Sequence, residues 1–126
     1  MGGRGTYAAD NYVPFTYETV DIIEGVKVLE GLDGKHSLPE EAHSSRAYIK
    51  LKRDGSFHQI RIYDSNKYLR LEIAYHPEPN LDLSRKNILH YHIYDEFFNR
   101  SPAIAIKKKS RLYQRYQKYF RGGCHD

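Results

Sequence analysis

The chain has 126 residues, a net charge of +4, 12 tyrosines, five phenylalanines, no tryptophan and a single cysteine. That length suits one domain with one modest core, and no apolar run approaches the ~18 residues of a membrane span. Cys124 has no partner for an intrachain disulfide, and without a cysteine cluster a structural zinc site is not expected.

In chain order, residues 1–14 are glycine-rich and polar and read as a flexible leader, with residues 15–126 as a single domain. Met1 to Gly5 leads into polar sequence, so no secretory h-region is expected. Phe15–Glu30 reads as an irregular strand pair broken at Gly25. Gly31–Ser45 reads as a loop carrying Asp33-Gly34, His36, Pro39 and His43.

Arg46–Tyr94 reads as a four-stranded antiparallel meander. A two-residue Asp54-Gly55 connection would set Ile49 opposite Ile60, Lys50 opposite Gln59, Tyr48 opposite Arg61 and Leu51 opposite His58. A four-residue loop at Asp64-Ser65-Asn66-Lys67 would set Arg61 opposite Arg70 and Gln59 opposite Glu72. Pro77 and Pro79 end the third strand, because neither donates to a ladder. The loop Pro77–Asn87 is long for a hairpin and is a candidate functional loop. Ile88–Tyr94 then alternates, and face matching allows either Glu72 opposite His92 or His76 opposite His90.

The apolar face of this meander gathers Ile49, Ile60, Ile62, Leu69, Leu71, Ile73, Leu89 and Ile93, with His58 beside Ile60 as a buried histidine. The polar face gathers Lys50, Gln59, Arg61, Arg70, Glu72, His76, His90 and His92. Asp95–Pro102 reads as a connector, and Ala103–Ile106 as a short strand or the first turn of a helix. Lys109–Phe120 has helical periodicity, ended by Gly122-Gly123. The fold class expected is α+β: a twisted antiparallel β-meander with the C-terminal helix packed on its apolar face and the polar face open.

Acids, bases and cations on one face fit phosphate-bond chemistry. Metal-independent cleavage of RNA through the ribose 2′-hydroxyl needs a base, an acid and cations for the phosphorane charge. Glu72 is the candidate base, His92 or His90 the acid, and His76 lies in the same neighbourhood. Arg61 and Arg70, with Lys50, form the candidate phosphate clamp. Directly opposed arginines repel by a few tenths to ~1 kcal/mol, which calls for an anion beside them.

His90 and His92 lie about 6.6 Å apart along a strand, and with His76 are compatible with a three-histidine metal site. No carboxylate is placed as a fourth partner, so neither a metal nor a cofactor is expected. His36, His43 and His125 read as incidental loop or tail residues, although a loop histidine can enter a site.

A third reading needs no catalysis. Lys107, Lys108, Lys109, Arg111, Arg115, Lys118 and Arg121 form a run of seven cations without an acid, leaving the rest of the chain at a net −3. Together with the tyrosines, this surface suits RNA, DNA or an acidic protein face.

The opening Gly2-Gly3-Arg4-Gly5, the Tyr63-Asp64 turn, His76-Pro77 and His90-Tyr91-His92 resemble a group of small phage and prophage proteins of Firmicutes. The resemblance spans most of the chain and implies a phage accessory protein in the bacterial cytoplasm. The sheet also resembles the barnase-like ribonuclease toxin domains, which implies Glu72, His90 and His92 as site residues. The leading expectation is therefore a protein with a phosphate-binding sheet face that binds or cleaves RNA. The alternative is a non-enzymatic anti-defence inhibitor of anti-CRISPR type on a host nucleoprotein, or a virion-assembly protein. Whether the chain is an enzyme, and its oligomeric state, stay open at this point.

Overall fold

Among the described residues the fold has seven strands and one short helix. The computed structural model describes residues 17–31, 37–39, 42 and 45–122. The leader at 1–14, His36, His43, the Asp33-Gly34 pair, Gly123, Cys124 and His125 lie outside the described residues. The strands are β1 (Tyr17–Ile23), β2 (Val26–Gly31), β3 (Ala47–Leu51), β4 (Phe57–Tyr63), β5 (Leu69–His76), β6 (Ile88–Ile93) and β7 (Ile104–Ala105). They form one open sheet in chain order, antiparallel throughout except where β2 pairs parallel with β3. The helix α1 (Arg111–Tyr116) continues as a 3₁₀ turn over Gln117–Tyr119. No helix among the described residues is long and apolar enough to cross a membrane.

The expected four-stranded meander is present as β3 to β6. The first strand pair is a hairpin made irregular by a bulge at Val20, and it is closed by Glu24 and Gly25. Both carry positive φ, 49° and 83°, as a two-residue turn matched to strand twist requires.

Three further turns share one design. Lys52–Ser56, Asp64–Tyr68 and Asp95–Asn99 each hold three residues between a closing pair of backbone hydrogen-bonding residues. The fourth residue of each is left-handed: Gly55 (φ 87°), Lys67 (φ 71°) and Phe98 (φ 66°). An aspartate carboxylate braces each turn, as when Asp64 Oδ1 accepts from the amides of Asn66 (2.8 Å) and Tyr68 (3.0 Å).

These turns change the expected registers. The β3–β4 turn is one residue longer than a two-residue Asp-Gly turn, and a bulge on β4 adds one residue back. Ile49↔Ile60, Lys50↔Gln59 and Tyr48↔Arg61 therefore pair as expected, but Leu51 pairs with Phe57 rather than His58. His58 is the extra residue of the bulge. It leaves the apolar face, and its ring meets His76 at 5.6 Å. In β4–β5 the turn and a bulge at Arg70 shift the register in the same direction, by two residues in all. The faces survive a two-residue shift, whereas the partners do not. Arg61 opposes Glu72, not Arg70, and the arginine repulsion inferred from sequence is absent. In β5–β6, Glu72 pairs with His92.

Among the described residues two cores cover the sheet. One holds Ile23, Val28, Ile49, Phe57, Ile60, Ile73, Leu89, Ile106 and Phe120, with Leu112, Tyr113, Tyr116 and Tyr119 packed against it. The Phe57 and Phe120 rings meet at 4.8 Å. Such a pair contributes roughly 0.5–1.5 kcal/mol beyond area burial. The other core is tyrosine-rich: Tyr17, Leu29, Leu38, Ala42, Tyr48, Tyr63, Leu69 and Tyr94. It occupies part of the face expected to be open, so that face is half core and half polar.

The helix is shorter than its periodicity. Ser110 caps it, its Oγ accepting from the Tyr113 amide. Lys107–Lys109 precede the positive end of the helix dipole, which disfavours extension. At the other end the chain is drawn onto the sheet, where the Phe57 amide donates to the Arg121 carbonyl at 2.8 Å.

Candidate functional site

A row of imidazoles crosses the polar half-face. The rings run His58, His76, His90, His92, with centroids 5.6, 4.7 and 5.5 Å apart and each pair edge to face. His76 ends β5, while His90 and His92 alternate along β6, so strand pleat brings three of them together. His90 is 0% exposed and His92 4%.

Hydrogen bonding fixes the tautomers. His76 Nδ1 lies 2.7 Å from the Pro77 carbonyl, His90 Nδ1 2.8 Å from that of Ile88, and His92 Nδ1 2.8 Å from that of Ser101. A carbonyl only accepts, so each Nδ1 donates and each neutral ring keeps its lone pair on Nε2. His92 Nε2 accepts from Arg100 Nη2 at 2.8 Å. His90 Nε2 is buried with no hydrogen-bond partner. Leaving such an atom unsatisfied costs roughly 1–3 kcal/mol.

Glu78 stands beside this pair. Its carboxylate and a ring nitrogen of each of His90 and His92 lie within 4.8 Å of one another. The Asn80 amide, and then the neighbouring imidazoles, hold the Glu78 carboxyl below its ordinary range. Burial lowers His90, although its bond to the Ile88 carbonyl opposes the shift. Burial, with Lys50, His76 and Lys52 nearby, pushes His58 down to about 4.

Glu72 is 5% exposed. Its Oε2 accepts from Arg61 Nε at 3.0 Å, and its Oε1 lies 3.4 Å from the Tyr94 hydroxyl and 4.0 Å from Arg100 Nη2. Burial would raise this carboxyl, but the charge and hydrogen bond of Arg61 outweigh it and lower it overall. Glu72 is thus a buried counter-ion, a poor proton acceptor at neutral pH. Arg61 is equally engaged, its Nη1 donating to the Leu38 carbonyl at 2.9 Å. Arg70 pairs instead with Asp64 at 2.7 Å, back at the turn. Lys50 is half-buried, and desolvation lowers it.

The structure therefore brings together Glu72, His76, His90 and His92 with Arg61, and it does not bring Arg70 to them. Lys107, Lys108, Lys109, Arg111, Arg115 and Lys118 are all exposed, in α1 and in the segments that flank it. Two residues were missed from sequence. Glu78 belongs to the long loop after β5, and its His76-Pro77-Glu78 placement was the available signal. Arg100 arrives because the Asp95 turn folds the chain back to bridge Tyr94. The repeat of Tyr63-Asp64 as Tyr94-Asp95 was the signal for that turn.

No protein-family model, curated protein or solved structure matches this chain.

Proposed function

We propose that the protein is a phage-type accessory protein that binds single-stranded RNA through its helix-bearing face and does not cleave it. The observation that carries this reading is the exposed cation run. Lys107–Lys109, Arg111, Arg115 and Lys118 stay at the surface, whereas Glu72, His90 and His92 are buried, with Glu72 against Arg61 and His92 against Arg100.

Beside those cations lies a groove lined by Tyr116, Tyr119, Val26, Arg46, Ala47, Ile60 and Ile62. In this reading α1, lying on the apolar face of the sheet, supplies both its tyrosine wall and its charges. Arg115 sits 5.6 Å from the Tyr116 ring and Lys118 5.2 Å from the Tyr119 ring. Aromatic walls with flanking cations suit a base stacked in the groove and a phosphate held at its rim. In this reading the protein acts in the host cytoplasm, where RNA is an abundant polyanion.

The test is fluorescence anisotropy of a labelled single-stranded RNA across a salt series, in EDTA. With four to six phosphate contacts, log K should fall against log salt with a slope of roughly −3 to −4. Lys107→Glu/Lys108→Glu/Lys109→Glu should weaken binding strongly, and Tyr119→Ala more modestly. Salt-independent or absent binding would turn attention to a protein partner. Cleavage in EDTA that is lost in His76→Ala would overturn the non-catalytic reading.

A further inference from the structure

We infer that Glu78, His90 and His92 form a binding site for a divalent transition metal, with zinc the best-matched dication. The site stands on its own geometry and on none of the RNA-binding reading. Two imidazole nitrogens and a carboxylate oxygen already converge within 4.8 Å. Ligand atoms around a tetrahedral zinc sit roughly 3.4 Å apart, given metal–ligand distances near 2.1 Å. The remaining closure falls to Glu78, whose partly exposed side chain lies in a loop and accepts from the Asn80 amide at 3.2 Å.

The second observation is independent of the cluster. His90 Nε2 is fully buried, carries a lone pair and has no partner. A buried orphan acceptor on a ring that clusters with a carboxylate and a second imidazole is the state expected of an unliganded metal ligand. Both rings also show the outer hydrogen bond that metal-binding histidines use, Nδ1–H to a backbone carbonyl, which aims Nε2 and raises its basicity. The donor set of two nitrogens and one oxygen suits zinc and its neighbours rather than calcium or magnesium.

Arg100 is the opposing element. It donates to His92 Nε2 at 2.8 Å and must leave for the metal to bind. Its side chain is 52% exposed and already 4.0 Å from Glu72, so it has a place to go. The guanidinium thus competes with the cation for one lone pair, and its removal should tighten metal binding.

The experiment is calorimetric titration of ZnCl₂ into the full, tag-free, EDTA-stripped chain, with cobalt(II) absorption as a second readout. One zinc per chain is expected, with an intense tetrahedral cobalt band. Glu78→Gln should weaken zinc at least tenfold, and Arg100→Gln should tighten it several-fold. His36→Gln/His43→Gln/His125→Gln should leave it unchanged. Because Glu78 and Arg100 are partly exposed, both variants should keep the wild-type circular dichroism, so the outcome does not depend on a variant that fails to fold. No saturable zinc binding, or binding indifferent to Glu78→Gln, overturns the inference, as does loss in the triple histidine variant.

Discussion

Glu72→Gln isolates the buried ion pair at the centre of the polar half-face. The substitution preserves shape and an acceptor oxygen for Arg61 but removes the charge. The two side chains are only 12% and 7% exposed, so Arg61 is left as an uncompensated buried cation. Breaking a pair of this kind from one side costs roughly 3–5 kcal/mol. Glutamine keeps one hydrogen bond, and Arg61 keeps its bond to the Leu38 carbonyl, which places the expected loss near 3 kcal/mol. That is a large share of the roughly 5–15 kcal/mol a domain possesses. Urea denaturation at pH 7 should show a lower midpoint with an unchanged slope.

The pH dependence supplies a second check on the same pair. Glu72 is held below its ordinary 4.5, so its contribution is complete above that value. It fades as pH falls through the folded value, and the gap between wild type and Glu72→Gln should close in acid. A paired Arg61→Met/Glu72→Leu variant should be more stable than either single one. A deficit under about 1 kcal/mol at pH 7, or a gap that ignores pH, would refute the account of Glu72 as a structural counter-ion.

Gly122→Ala should destabilise by roughly 1–3 kcal/mol, read by thermal denaturation, because φ is +87° there and a Cβ would lie 2.7 Å from Ser56 Cβ. Asp64→Ala should cost roughly 1–2 kcal/mol in urea denaturation, since one carboxylate braces two turn amides and Arg70. His58 is pushed from 6.5 to about 4, so the folded state resists its protonation and stability should fall as pH drops from about 6.5 toward 4. The full effect is roughly 3 kcal/mol, and roughly 1–2 kcal/mol after solvent screening of a half-buried ring. His58→Gln should flatten that part of the urea-midpoint profile against pH, and an unchanged profile would contradict the cause assigned.

Much of the sheet was legible because alternation assigns faces even when turn lengths are misjudged. The β3–β4 turn is one residue longer than the Asp-Gly pattern implies, and the β4 bulge cancels the difference from Ala47↔Ile62 to Lys50↔Gln59. His58, the bulged residue of β4, lies on the other face, and so does Leu69, which precedes the bulge at Arg70 and joins the tyrosine-rich core. In β4–β5 the displacements added to two, so Arg61 kept its face and exchanged Arg70 for Glu72. No local pattern announces a bulge, because it answers to sheet twist and to packing elsewhere.

The candidate site was legible as a residue set but not as a set of roles. His76, His90 and Glu72 share a face through the pleat, a property of spacing alone. That Glu72 is neutralised by Arg61, and that Arg100 reaches His92, depends on registers and on a turn beyond the meander. The tyrosine-rich core that half-covers the face was hidden for the same reason. Tyr17 and Leu38 come from segments outside the meander.

Strand order in this sheet equals chain order, and that governs how the fold is reached. Every strand finds its partner in the next segment of sequence, so most pairing closes only a short loop. The exception is the parallel step from β2 to β3, which spans residues 32–46 and is registered by just two residue pairs, Lys27↔Tyr48 and Val28↔Ile49. The β3–β6 meander can therefore zip quickly from any of its turns, while the β1–β2 hairpin docks last and opens first. Hydrogen exchange should divide the sheet at that seam, with the hairpin amides exchanging ahead of those in β4 and β5.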